Sequence, residues 1–118
     1  YLMYVYTRAM SILNSTEEEF SEDINCDEVV LDPHIQALIR EISRVNTAVL
    51  SSAINYSPST LCSYLFELGQ KFNSFYQEVN VLNSDKENRA LLLNIEKATA
   101  ETMKTGLNLL GIETVERM

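Results

Sequence analysis

From Leu92 onward the chain places Leu92, Ile95, Thr99, Met103, Gly106 and Leu110 at successive steps of 3, 4, 4, 3 and 4. That rhythm keeps side chains on one face of an α-helix, and it cannot be laid on a strand, whose faces alternate every second residue. Little interrupts the rhythm elsewhere, because 118 residues hold three glycines and two prolines. A first helix is expected over about Tyr1 to Leu13, with Leu2, Val5, Ala9 and Ile12 inward. Asp32-Pro33 pairs an N-cap residue with the residue favoured at the first helical position, so a second helix opens there and runs to about Val45. Ile35, Leu38, Ile39 and Ile42 form its inner face. A short third helix follows from Thr47 to Asn55, and Ser57-Pro58 starts a fourth in the manner of Asp32-Pro33, ending near Val79. Ser84-Asp-Lys-Glu87 reads as a capping box before the last helix, which Gly111 ends. The expected fold is all-α, an antiparallel bundle of about five helices.

A chain of this length with 46% apolar residues can bury one ordinary core, so residues 1–118 are read as a single domain. Because it begins at Tyr1 and runs straight into helical pattern, we expect it to be the end of a longer chain. No apolar run reaches the roughly 18 residues a membrane span needs, and no basic leader precedes an apolar stretch. The expectation is a soluble, unexported, cytoplasmic protein. Cys26 and Cys62 fit no paired or metal-ligand spacing and are expected to be reduced thiols.

The net charge of -8 argues against a nucleic-acid binder until its location is considered. Eight acids and no Lys or Arg lie from Glu17 to Asp32, seven of them inside a connector of about residues 15–31, while the rest of the chain holds nine acids and nine bases. Charges further apart than a Debye length of about 8 Å are largely screened, so one acidic segment leaves a distant surface free to meet RNA.

Catalytic chemistry needs clustered ionisable groups, and the sequence offers none. His34 is the only histidine and falls in the first turn of a helix, which leaves zinc without enough soft ligands. The acidic run lacks the order of an EF-hand, no serine sits in a nucleophile elbow, and no glycine-rich loop could hold phosphate. Catalytic, metal and cofactor sites are therefore expected to be absent from this segment.

Two polar-aromatic edges remain. Tyr1, Tyr4 and Arg8 form a stripe roughly 90° from the inner face of the first helix. Asn73, Tyr76 and Asn80 flank the fourth helix, whose inner face is Leu61, Leu65, Leu68, Phe72, Phe75 and Val79. Tyrosines at a core border can simply bury the ring and wet the hydroxyl. The same residues can instead stack unpaired RNA bases, each worth about 1 to 3 kcal/mol, while amides read base edges.

Three segments carry a family likeness. YLMYVYTR (Tyr1 to Arg8) resembles the Y-L-Q-Y-A-H-S/A-R that opens the C-terminal, DALR-type anticodon-binding domain of arginyl-tRNA synthetases. YLFELGQKFNSFY (Tyr64 to Tyr76) is similar to that family's Y-L-Y-D/E-L-A-x-x-F-N-S-F-Y, and the closing GLNLLGIETVERM to its G-L-x-L-L-G-I-x-x-P/V-E-R-M. The likeness covers nearly the whole chain and is weakest from Ser15 to Leu31. It implies the helical module that follows a class I aminoacyl-tRNA synthetase catalytic domain and grips the anticodon stem and loop of arginine tRNA. Anticodon-loop contacts are then implied for Tyr1, Tyr4, Arg8, Tyr76 and Asn80, and for Arg117 and Met118 on a tail that folds back after Gly111. Arginine codons share a middle guanine, so a reader can concentrate on the middle cytosine of the anticodon, with Arg8 pairing to phosphate or a base edge. ATP, with Mg, and arginine would belong to the catalytic domain outside this sequence, in a monomeric enzyme. Met3 stands where the family has glutamine, Tyr6 where it has histidine, and Asn80 where larger aromatic or basic residues often occur. Arg40, Arg44, Lys71, Lys97 and Lys104 either add phosphate contacts or are simply solvated. The alternative reading is a helical docking module that meets a protein or another domain of the parent chain, to which an outward Phe66 would contribute.

Overall fold

A computed structural model describes residues 1–16, 32–81, 84 and 86–118, the side chains of residues 86 and 87 excepted. Five helical segments make up the described fold: α1 (Leu2–Asn14), α2 (Pro33–Ser43), α3 (Val45–Ile54), α4 (Pro58–Glu78) and α5 (Lys86–Leu109). Arg44 alone separates α2 from α3, so the two can be counted as one bent element and the bundle as four. No strand occurs among the described residues. Most of the acidic connector, Cys26 and Asp85 of the capping box lie outside the described residues, as does the side chain of Glu87.

The caps explain where the helices begin and end. The Asp32 carboxylate accepts from the His34 N–H at 2.7 Å, with Pro33 behind it, and this opens α2 as the dipeptide predicts. Ser57-Pro58 begins α4 differently. Ser57 makes no side-chain cap bond, and its hydroxyl lies 2.9 Å from that of Ser59 instead. At the end of α5, Ile112 N–H reaches the Leu107 carbonyl at 2.9 Å and Gly111 N–H the Asn108 carbonyl at 3.0 Å. These are the two bonds of a Schellman motif, and they require the φ of +81° that Gly111 adopts.

Helix α4 is the central element, touching each of the other four, while α1 packs chiefly on α5, and α2 and α3 on α4. The interior is formed by Val5, Leu38, Leu65, Leu68, Phe72, Phe75, Met103 and Leu107, all closed to solvent. Leu61, Leu92, Ile95, Thr99 and Gly106 are buried with them, in line with the periodicity of α4 and α5. The inner face of α2 departs from expectation: Ile39 is exposed and Glu41 is buried. The helix is turned toward α4, where the Tyr64 hydroxyl donates to the Glu41 carbonyl at 2.6 Å. Burial, and secondly the Glu41 charge, pushes the Tyr64 hydroxyl up to about 12, so it stays protonated and keeps donating. Among the described residues, no helix is long and apolar enough to cross a membrane.

Candidate nucleic-acid interface

Helix α1 carries one charged side chain, Arg8, and its surroundings define the candidate site. The guanidinium carbon lies 4.5 Å from the centre of the Tyr4 ring and 4.4 Å from that of Tyr76. Tyr4 is four residues earlier on α1 and therefore falls on the same edge, whereas Tyr76 arrives from α4. One guanidinium thus joins two helices through two rings. Its Nη2 donates to the Tyr4 hydroxyl, and its Nη1 donates to the Asn73 Oδ1 at 3.1 Å. The Asn73 amide then donates from Nδ2 to the Tyr1 hydroxyl at 2.9 Å. The charge on Arg8 dictates that order, since the amide oxygen must face the cation.

The rings remain open to solvent despite these contacts. Tyr4 is 44% exposed and Tyr76 38%, each with the guanidinium close to its ring centre. Tyr76 is braced from within by Phe72, at a ring separation of 6.1 Å. Tyr1 lies against Phe66, with ring centres 5.1 Å apart and planes tilted by 48°. Phe66 is therefore exposed, as its position on the wheel predicts, but it forms part of the tyrosine edge. Beyond Tyr76 the edge continues into a recess of about 320 Å³ lined by Ile12, Val81 and the α4 end from Tyr76 to Asn80, with the acid Glu78 among them.

The structure thus brings Tyr1, Tyr4, Arg8 and Tyr76 into one connected group and puts Asn80 in the adjoining recess. Asn73, which the sequence sets on the flank but not among the site residues, is the bridge between Arg8 and Tyr1. The tail after Gly111 returns to α1, where Val115 N–H meets the Met3 sulfur at 3.4 Å. Met3, a departure from the resembled pattern, is thus where the tail is tied. Arg117 and Met118 follow as exposed residues, Met118 at 81%. Tyr6 is buried and takes no part in the edge. Of the accessory bases, Arg44 pairs with Glu41 at 3.6 Å and Lys97 with Glu101 at 4.0 Å. Among the described residues no group of three His, Cys, Asp or Glu side chains could hold a metal ion.

Comparison with known proteins places this geometry in a lineage. The pattern of the DALR anticodon binding domain matches residues 2–118. An arginine-tRNA ligase of Photobacterium profundum is 39% identical over 118 residues, which is all of this chain and 20% of the ligase. One from Aliivibrio salmonicida is 41% identical over 120 residues, again covering 20% of that protein. The chain therefore spans about a fifth of the length of the relatives it matches. Among solved structures, Thermus thermophilus arginyl-tRNA synthetase superposes with a TM-score of 0.90 at 30% identity, covering 100% of this chain and 21% of that one.

Proposed function

The chain belongs to the DALR anticodon binding domain family, and from that premise we propose that it reads the anticodon loop of arginine tRNA on behalf of a parent arginine-tRNA ligase. The observation that carries the reading is the Arg8 guanidinium held between the Tyr4 and Tyr76 rings. Two half-exposed rings at a fixed spacing offer stacking surface to unpaired bases at little ordering cost, because contacts on the protein side already hold them. The guanidinium supplies positive charge to an edge of α1 that has no acidic side chain, and it retains donors for a phosphate or a base edge. Asn80 and the recess beside Tyr76 suit a base turned out of the loop, with the middle cytosine as the base to be distinguished. The tail carrying Arg117 and Met118 would close on the loop from its tether at Met3.

In this proposal the ATP, Mg and arginine chemistry belongs to the remainder of the ligase, which acts as a cytoplasmic monomer. Replacing Tyr76 or Arg8 by alanine should weaken binding of the arginine anticodon stem-loop by about 5- to 150-fold, the equivalent of one stacked base. Both side chains lie outside the core, so helical content by circular dichroism should not change. Unchanged affinity in a filter-binding titration of folded variants would remove these residues from the reading.

A further inference from the structure

The helix that is most apolar on average, α3, is the one without a fully buried residue. No residue of α3 is closed to solvent, and Leu50 and Ile54 are 61% and 65% exposed. Leu50, with the 59% exposed Leu109 of α5, borders an open groove of about 480 Å³. Beside them stands Tyr56, 94% exposed and with a φ of +50°. Its backbone is held there: Ser57 N–H reaches the Ser52 carbonyl at 3.0 Å, Tyr56 N–H the Ala53 carbonyl at 3.3 Å, and the Ser52 hydroxyl donates to the Ser57 carbonyl at 2.6 Å. This is the Schellman cap again, with tyrosine in the left-handed place that Gly111 fills at the end of α5. A tyrosine there strains the backbone and holds a ring in water, so local folding accounts for neither choice.

Charge narrows what could cover such a face. From Val45 to Phe66 there is no charged side chain, and the charged residue lining the groove is the acid Glu101. No cation lines the groove for RNA phosphate, and the nearby Lys97 is paired with Glu101, while a neutral apolar protein surface loses little by contact. Relatives of this chain are ligases of which it spans 20%, so four-fifths of such a protein lies beyond the matched part, tethered at high effective concentration. We propose that the α3 face docks against the remainder of the parent ligase, with the Tyr56 ring as the anchor that enters a pocket there. The proposal rests on membership of the ligase and not on the RNA reading, so the two can fail separately.

Hydroxyl-radical footprinting of the full-length ligase, with and without arginine tRNA, tests it. Tyr56, the most open tyrosine of the chain, should be oxidised roughly five times more slowly than Tyr4 and Tyr76, with tRNA slowing only the latter pair. A Tyr56 that reacts fastest overturns the proposal. Protection appearing only with tRNA assigns the face to RNA, and protection lost on dilution assigns it to a second copy; either result also overturns it. Tyr56→Gly keeps the cap and eases its backbone, so it should raise labelling of Leu50 and Ile54 several-fold. Unchanged labelling would refute the anchoring role.

Discussion

Tyr56 and Gly111 occupy the same position in two helix ends, and only one of them is a residue that position favours. Tyr56→Gly should therefore stabilise the isolated domain by about 1 kcal/mol, raising its melting temperature by roughly 4 °C. A lower melting temperature would mean that the ring packs on the domain itself. Gly111 was readable as a stop because glycine announces the left-handed turn. Tyr56 was not, because nothing in an aromatic residue predicts positive φ. The same contrast runs through the candidate site. Tyr1, Tyr4 and Arg8 share an edge by helical period alone, and Tyr76 shares a motif with Asn73. The bridge that Asn73 makes spans 65 and 72 residues, and only the packing of α4 on α1 sets it. Glu41 and Ile39 exchanged their expected burial for a related reason: period defines a face, while the neighbouring helix decides how far that face is turned.

At the scale of elements, close approach of α4 and α5 depends on the absence of a side chain at Gly106. A Cβ there would stand 2.5 Å from Leu65 Cδ2 and 2.8 Å from Cδ1. Leu65 is closed to solvent, so its side chain would have to repack within the core. Gly106→Ala should therefore destabilise the domain by about 1 to 3 kcal/mol despite the better helix propensity of alanine. An unchanged urea midpoint would contradict the packing described for α4 and α5. Most element boundaries were legible to within two residues, since Asp32-Pro33 and Gly111 act through local hydrogen bonds. The break at Arg44 was less so: α3 begins at Val45, two residues before the expected Thr47, because no glycine or proline marks the bend.

Across the whole molecule, the bundle encloses a carboxyl group in its interior. Glu96 on α5 is fully buried, neither carboxyl oxygen has a hydrogen-bond partner among the described residues, and burial pushes its pKa up to about 8 from 4.5. The folded state therefore holds a proton that the unfolded chain releases above about pH 4.5. Stability should be highest below that pH, as far as this group is concerned. It should fall through the interval up to about pH 8 by roughly a few kcal/mol, then level off. Denaturant titrations at intervals over this range should show that slope in the wild type and its loss in Glu96→Gln; parallel profiles would contradict the burial of Glu96. The all-helical class was legible because five periodic stretches left no room for strands, and the family likeness ran through both ends of the chain. In the proposed function a ring-lined margin between α1 and α4, set by Arg8, distinguishes unpaired nucleotides. Its most direct test is titration of the protein with an arginine anticodon stem-loop and with the same hairpin carrying a different middle base. The hairpin with middle cytosine should bind clearly more tightly; equal affinity for the two would mean that this margin does not read the base.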